Sequence, residues 1–297
     1  MKYIEQQRTH IPADTAFVRR KFLDLPYMQG GERQTLDIYL PNEGDGPFPV
    51  VLDIFGGGWY FGQKSSHKLE PALHLLRRGF AVVSINYSLS WQAQFPAQVQ
   101  EIKTAIRFVK ASAARYELDK SRVALLGESA GAHYAALCAV SSAAGRLEDK
   151  SLGWAEESSE AQAVIAVYCP SDLGRLREDF WVMGQESDLP ETGESDSMEG
   201  ALFGRRAPRD VPELVRLANP VTYITGRCPP FLFLHGDRDR VIPVQQSRVL
   251  AAEIMRACGR AAVEYHIVEG AKHDIHDFER EDLYDLEADF LRRKLGM

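Results

Sequence analysis

The sequence lacks the features that mark several large classes of protein. Its four cysteines are scattered over 297 residues without a CxxC spacing, so they indicate neither a disulfide framework nor a zinc site. No apolar run approaches the roughly 20 residues that a membrane helix needs. A net charge of −7 excludes a broad basic surface for nucleic acid or anionic lipid. With 45% hydrophobic and 26% charged residues, the composition also excludes collagen, coiled coil and wholesale disorder.

The N-terminal segment carries no recognisable targeting signal. Residues 1–17 contain no apolar stretch of the kind found at the centre of a secretory signal peptide. Scattered thiols in a chain of this length are typical of a reducing compartment. We therefore expect a cytoplasmic protein that acts on a small molecule and binds neither nucleic acid nor membrane, while assembly into a homo-oligomer is left open.

Short apolar runs alternate with longer amphipathic stretches along the chain. Runs rich in β-branched residues predict strands at residues 36–40, 50–55, 80–86, 122–127, 163–168, 231–235 and 263–268. Apolar positions that recur every three or four residues predict helices at about 97–116, 245–258 and 282–295. This alternation favours a mostly parallel sheet with helices on both faces.

One region interrupts the alternation. Residues 170–229 contain no strand signal, and residues 185–200 within them are acidic and rich in turn formers. Because no linker composition separates two domains, we predict one domain, residues 1–297, with 170–229 as an insertion. This insertion is either a solvated loop or a lid. As a lid, it would turn four apolar residues towards a pocket: Phe180, Trp181, Leu202 and Phe203.

The strongest local signal is Gly127-Glu128-Ser129-Ala130-Gly131. It directly follows a predicted strand and precedes a helix-compatible run, which is the strand–turn–helix setting of a nucleophilic serine. A sharp turn exposes the hydroxyl above the sheet edge, and flanking glycines avoid Cβ clashes. The N-terminus of the following helix directs N–H groups at the site. The sequence therefore predicts a nucleophile at Ser129.

Other polar segments also follow predicted strands. Three consecutive glycines, residues 56–58, free several N–H groups to converge on one point, as a tetrahedral oxyanion requires. Asp237 and Asp239 follow the strand at 231–235, and His273 follows the strand at 263–268. Since ligand sites gather at the carboxyl ends of parallel strands, we expect an acid and a histidine at the same edge.

The chain resembles esterases of the α/β-hydrolase superfamily, close to the group related to hormone-sensitive lipase and to bacterial carbohydrate and feruloyl esterases. The resemblance extends over about residues 35–275 and is carried by LDIYLP, FGGGW, VVSINYSLS, FPAQVQEIKTAIRFVK, GESAG, HGDRDRVIPVQQS and GAKH. It implies an α/β-hydrolase fold, with a mostly parallel eight-stranded sheet, helices on both faces and a small insertion after strand 6. It also implies that no cofactor is needed.

The resemblance implies roles for individual residues. The catalytic triad would be Ser129, Asp239 and His273. Asp237 and Asp172 are rivals for the acid, and His276 is a rival for the histidine. The oxyanion donors would be the N–H groups of Gly57, Gly58 and Ala130. We expect the substrate to contact three neighbouring residues: Trp59, Tyr60 and Glu128.

One position departs from the pattern of these esterases. The glycine run usually begins with a histidine, and Phe55 stands there instead. Since that histidine orients the loop, its replacement is expected to alter loop anchoring and leave the triad intact. No metal is expected, because the segment after the last strand, HDIH, is not an HExxH motif.

These residues predict a serine carboxylesterase that forms an acyl-enzyme. Its substrates would be short-chain esters, or carbohydrate or aromatic acyl esters, since Trp59, Tyr60, Phe61 and Trp91 could stack on a ring. An amide hydrolase, either a peptidase or a formamidase, would use the same triad. A binding protein without catalysis is the third interpretation, although such proteins typically lose a triad residue.

Overall fold

The computed structural model describes residues 10–297, which surround one eight-stranded sheet. The first nine residues, part of the segment inspected above for a targeting signal, lie outside the described residues. The strands are β1 Arg20–Pro26, β2 Thr35–Leu40, β3 Phe48–Ile54, β4 Ala81–Ile85, β5 Leu118–Glu128, β6 Ala163–Val167, β7 Phe231–Gly236 and β8 Val263–Val268. They lie in the order β1-β2-β4-β3-β5-β6-β7-β8. β2 pairs antiparallel with β1 and β4, and the other pairs are parallel, which confirms the predicted sheet.

Helices lie between the parallel strands and after the last of them. They are α1 Glu70–Leu73, α2 Ala97–Ala111, α3 Ala130–Ala143, α4 Leu176–Val182, α5 Met198–Leu202, α6 Pro212–Ala218, α7 Gln245–Cys258 and α8 Glu281–Leu295. The helix predicted over 97–116 ends earlier than expected, at Ala111, and a separate 3₁₀ turn follows at Ala113–Tyr116. No helix among residues 10–297 combines the length and apolar character that crossing a membrane requires.

The core has two layers, one on each face of the sheet. Successive side chains of a strand point to opposite faces, so Val50 and Leu52 of β3 join one apolar cluster and Val51 joins the other. The first cluster includes residues of α2, α3 and α7, and the second includes residues of α1 and α8. Each fully buried aliphatic side chain contributes about 1.5–3 kcal/mol, so these layers fix the positions of the strand ends.

The segment between β6 and β7 contains α4, α5 and α6 and no strand. The four residues expected to face a pocket from a lid are placed differently. Phe180, Leu202 and Phe203 are buried in packing, and Trp181 is 79% exposed. The first three side chains stabilise the fold by removing apolar surface from water, and Trp181 faces solvent. None of the four lines the cavity described below.

Candidate active site

Ser129 occupies the whole turn between β5 and α3. β5 ends at Glu128 and α3 begins at Ala130, so Ser129 is the single residue that connects the strand to the helix. It does so with a φ of 55° and a ψ of −123°, a conformation that non-glycine residues rarely adopt. A Cβ on Gly127 would lie 2.4 Å from the backbone of Gly131, which explains why this flank of the turn requires glycine.

The structure brings Ser129, His273 and Asp239 together. The hydroxyl Oγ of Ser129 lies 2.9 Å from Nε2 of His273. Nδ1 of the same ring lies 2.7 Å from Oδ2 of Asp239. The three side chains come from the ends of β5, β8 and β7, so the parallel register of these strands positions them at one edge.

Asp239 is buried and held by several donors. Its Oδ1 accepts the N–H groups of Val241 at 2.8 Å and Ile242 at 2.9 Å. Nε2 of His235 lies 3.4 Å from Oδ2. Burial opposes ionisation, but the neighbouring His273 and the hydrogen bonds from both histidines outweigh it and hold the pKa of Asp239 below its ordinary value. The carboxyl group is therefore a carboxylate at neutral pH.

The rival acids and the rival histidine lie in other contacts. Asp237 is exposed and accepts the N–H of Gly270 at 2.7 Å. Asp172 accepts the N–H of Gly174 at 3.1 Å. His276 pairs with Glu279 at 3.0 Å. Among residues 10–297, none of these three side chains is hydrogen-bonded to Ser129, Asp239 or His273.

The glycine run forms a tight turn beside Ser129. Gly57 and Gly58 have φ values of 132° and 59°, and the carbonyl of Gly57 accepts the N–H groups of Tyr60 and Phe61. Within the described part of the chain, the N–H groups of Gly57, Gly58 and Ala130 have no acceptor in the protein. Gly58 borders the same cavity as Ser129, and the role of these three amides as oxyanion donors stays a prediction.

Glu128 anchors this glycine turn. Its Oε1 accepts the N–H of Gly56 at 2.6 Å and the ammonium of Lys68 at 2.8 Å. Burial raises the pKa of Glu128, but the charge and hydrogen bond of Lys68 outweigh this and keep it below the ordinary value. Glu128 also borders the cavity beside Ser129, which is compatible with the expected contact with substrate. That contact stays a prediction.

Phe55 has a different set of contacts in place of the usual histidine. Its ring stacks on Tyr87 with a centroid distance of 4.3 Å, and the Tyr87 hydroxyl donates to the Phe55 carbonyl at 2.7 Å. The guanidinium of Arg33 lies 5.6 Å from the ring centroid. Stacking and a backbone hydrogen bond thus anchor the start of the glycine turn.

Sequence reasoning missed His133, which binds Trp59 from the first turn of α3. The indole Nε1 of Trp59 donates to Nδ1 of His133 at 3.2 Å, and Nε2 of His133 lies 2.7 Å from the carbonyl of Ala218. An indole only donates and a carbonyl only accepts, so the proton of the neutral ring is on Nε2. Burial lowers the pKa of His133 to about 4. The only signal in the sequence was a histidine one helical turn after the serine.

A cavity of about 260 Å³ opens beside Ser129 and His273. Apolar residues of its wall are Trp59, Leu176, Leu189, Met198, Val241, Ile242 and Ile275. Polar residues are His67, Lys68, Glu128, Thr192, Glu199 and Asp274, with Tyr168 against the histidine ring. Tyr60 is not part of this wall and packs on Phe61 instead. Trp91, considered above as a stacking residue, is 59% exposed and donates its indole N–H to the carbonyl of Tyr60.

Comparisons with known proteins identify esterases among the relatives of this chain. The BD-FAE family model matches residues 36–254. The chain is 31% identical to esterase LipQ of Mycobacterium tuberculosis over 266 residues, which are 89% of this chain and 59% of that protein. It is 33% identical to a probable isoprenylcysteine α-carbonyl methylesterase of Arabidopsis thaliana, over 81% of this chain and 48% of that protein. The chain therefore spans about half the length of these curated relatives.

A solved structure extends the comparison to nearly the whole chain. A truncated carbohydrate esterase from gut microbiota superposes with a TM-score of 0.84 at 26% identity, covering 96% of this chain and 100% of that one. The α/β-hydrolase fold and the relationship to esterases expected from the sequence are confirmed.

Proposed function

The chain belongs to the BD-FAE family of α/β-hydrolases, and we propose that it is a serine carboxylesterase with Ser129, His273 and Asp239 as its triad. The observation that carries the proposal is the continuous hydrogen-bonded chain from the serine hydroxyl through the imidazole to the buried carboxylate. Such a chain makes a serine nucleophilic, because the ring accepts its proton while the carboxylate stabilises the ring cation.

The reaction would proceed through an acyl-enzyme. Nε2 of His273 takes the proton of Ser129 as Oγ attacks the ester carbonyl. The negative charge on the carbonyl oxygen is stabilised by the N–H groups of Gly57, Gly58 and Ala130. His273 then gives the proton to the departing alcohol. Water repeats the attack on the acyl-enzyme, releases the acid and restores the serine.

The proposed acyl groups are small. The cavity of about 260 Å³ is below the range of about 300–1,000 Å³ typical of pockets for drug-sized ligands. Met198 lies in the cavity wall directly against Gly58, since its Sδ would be only 2.9 Å from a Cβ placed on that glycine. Acetyl to butyryl groups, or one compact aromatic acyl group, suit this space.

The first test is Ser129→Ala with p-nitrophenyl acetate as substrate. We expect kcat to fall by several orders of magnitude while the thermal unfolding temperature changes little, because the nucleophile is lost and the backbone turn is kept. A phosphonylating reagent with a p-nitrophenolate leaving group provides a second readout. Wild type should gain one phosphonyl group, located by mass spectrometry on Ser129, and the variant none. Turnover near the wild-type rate in the variant would disprove the assignment.

The second test measures acyl-chain preference. We expect kcat/KM for p-nitrophenyl esters to be highest between acetyl and butyryl and to fall towards palmitoyl, because longer chains exceed the cavity. Each buried CH₂ is worth up to about 0.8 kcal/mol, so a deeper apolar tunnel would produce a rise in kcat/KM instead. Such a rise, or activation by emulsified triglyceride, would contradict the proposed substrate class.

A further inference from the structure

A second histidine lies beside the carboxylate of Asp239. His235 is the fifth residue of β7, and its side chain is fully buried. Its Nε2 lies 3.1 Å from the carbonyl oxygen of Ile242 and 3.4 Å from Oδ2 of Asp239. The same Oδ2 lies 2.7 Å from Nδ1 of His273. Two imidazole rings therefore face one carboxylate oxygen, and His273 is the one that also contacts Ser129.

The partners of His235 determine where its proton lies. A carbonyl only accepts, so Nε2 carries a proton, which is shared between the Ile242 carbonyl and, at the longer distance, Asp239. In the neutral ring, Nδ1 is then the acceptor and binds the hydroxyl of Ser247, 2.7 Å away. A competing acceptor for this hydroxyl, the carbonyl of Val244, is farther away at 3.1 Å. Ser247 therefore holds the ring with its Nε2–H towards the carboxylate.

These hydrogen bonds continue to the last strand of the sheet. Oγ of Ser247, whose proton goes to His235, accepts the hydroxyl of Tyr265, 2.8 Å away on β8. We call Tyr265, Ser247 and His235 the donor row. Each member donates in the direction of Asp239, and hydrogen bonds in such a series polarise one another in a buried environment. The donor row therefore stabilises negative charge on Oδ2 in addition to His273.

His235 has no access to the substrate. It is absent from the described residues that line the cavity beside Ser129, and its side chain has no exposed surface. It can therefore influence the reaction only through Asp239. In a serine triad, the carboxylate keeps the imidazole in the tautomer and orientation that proton transfer needs. A donor that fixes Oδ2 thus fixes the imidazole as well.

Other titratable and charged groups near the donor row stay the same in every variant used below. Tyr168, after β6, lies against the ring of His273, and Glu128, the last residue of β5, acts on that ring through its charge. Asp274 follows His273 and borders the cavity. Arg248 lies beside the outer end of the donor row. A change in the proton transfer of the variants therefore originates in the donor row itself.

We propose that His235 is a positioning residue, whose Nε2–H fixes Oδ2 of Asp239 against the ring of His273. Ser247 and Tyr265 hold His235 in the orientation that allows this. The inference rests on the proposed esterase function, because it takes Asp239 as the acid of the triad. It adds a residue that lies outside the cavity wall but controls how readily the imidazole takes and returns the serine proton.

The first experiment compares His235→Asn with His235→Gln, with p-nitrophenyl acetate as substrate. The asparagine amide reaches only the position of Nδ1, whereas the glutamine amide reaches that of Nε2, so only glutamine can donate to the carboxylate. In His235→Asn, kcat should fall about 10- to 100-fold, the effect of one hydrogen bond to a charged group, with KM within about twofold of wild type. His235→Gln should keep most of the activity. Equal losses in the two variants would overturn the inference.

The second experiment follows the pH profile of kcat/KM. Without the donor from His235, more negative charge faces His273, so the acid limb of the profile should move up by about 0.5–1 pH unit in His235→Asn. Ser247→Ala should move it in the same direction by a smaller amount. Ser171→Ala is the matched control, because Ser171 is also a buried serine but its hydroxyl donates to the carbonyl of Gln246, outside the donor row. Its acid limb should stay at the wild-type position.

A residue that only stabilises the fold would lower the unfolding temperature without moving the pH profile. An acid limb at the wild-type position in His235→Asn would therefore overturn the inference, whatever the stability of this variant. If His235→Asn does not fold, Ser247→Ala decides in its place. An acid limb in Ser247→Ala that coincides with that of Ser171→Ala would then be the contradicting result.

An NMR titration separates this inference from the esterase assignment, because it needs no substrate. The ring signals of His273 are followed against pH in wild type, Ser247→Ala and Ser171→Ala. The midpoint should be higher in Ser247→Ala than in the other two proteins. If wild type hydrolyses no ester, the proposed function fails, and this titration alone decides whether the donor row acts on His273. Equal midpoints in all three proteins would overturn the inference.

Discussion

Asp239→Asn exchanges one carboxylate oxygen for an amide nitrogen and tests whether this residue sets the tautomer of His273. Oδ1 of Asp239 accepts two backbone N–H groups, from Val241 and Ile242, so the asparagine oxygen should stay at that position. The amide NH₂ then replaces Oδ2, which lies 2.7 Å from Nδ1 of His273. Because NH₂ only donates, Nδ1 must accept and the ring proton moves to Nε2. With Nε2 protonated, the ring cannot take the proton of Ser129.

The expected loss in kcat is about 10⁴-fold, the magnitude known for the same exchange in a serine protease triad. It corresponds to about 5 kcal/mol in the activation barrier. Isosteric replacement keeps the packing, so the thermal unfolding temperature should fall far less than loss of a whole side chain would cause. The assay measures kcat and kcat/KM for p-nitrophenyl acetate at neutral pH.

Asp237→Asn is the matched control for this prediction. Asp237 precedes Asp239 by two residues but is exposed and accepts the N–H of Gly270. Its replacement should leave kcat/KM within about tenfold of wild type, as for most surface substitutions. If Asp237→Asn loses more activity than Asp239→Asn, the orientation argument is wrong.

Two further predictions concern the frame of the site and the stability of the fold. Gly131→Ala should prevent folding or lower the unfolding temperature by several degrees, because the new Cβ would clash with the carbonyl oxygen of Ile54. An unchanged unfolding temperature would refute this prediction. Burial raises the pKa of Glu287 to about 8, so the folded protein keeps a proton that the unfolded chain releases above about 4.5, and wild type loses stability as pH rises between these values. Glu287→Gln removes this loss of stability, which amounts to about 1.4 kcal/mol per pH unit. The variant should therefore be more thermostable than wild type at pH 8.5, and the difference should shrink towards pH 5. A difference in thermostability that does not depend on pH would contradict the assignment.

Much of the fold was predictable because local physics decides it. The apolar runs of β3 and β5 read as strands in the sequence, since the central strands of a parallel sheet are buried on both faces. β1, at Arg20–Pro26, was missed. It lies at the edge of the sheet and is largely exposed, so its sequence, RKFLDLP, has no apolar run to mark it.

Some parts of the candidate site could likewise be predicted from the sequence, and others could not. The turn at Ser129 is a matter of local sterics, and its glycines are visible in the sequence. The cavity wall depends on distant packing. Leu176, Met198 and Phe203 all belong to the same apolar cluster, but Leu176 and Met198 also line the cavity whereas Phe203 does not, and no periodicity distinguishes them. His133 was invisible for a related reason, because its two partners lie 74 and 85 residues away along the chain.

The link between Trp59 and His133 affects how the site responds when charge appears on the substrate. Trp59 follows the glycine turn, and His133 lies on the helix that begins next to the serine, so their hydrogen bond links the two segments that carry the proposed oxyanion donors. Dipoles that are already oriented before reaction need no rearrangement as the oxyanion forms, and little reorganisation energy is spent in the activation step. On the proposed mechanism, the neutral tautomer of His133 would contribute to the rate by keeping the field at the carbonyl oxygen constant.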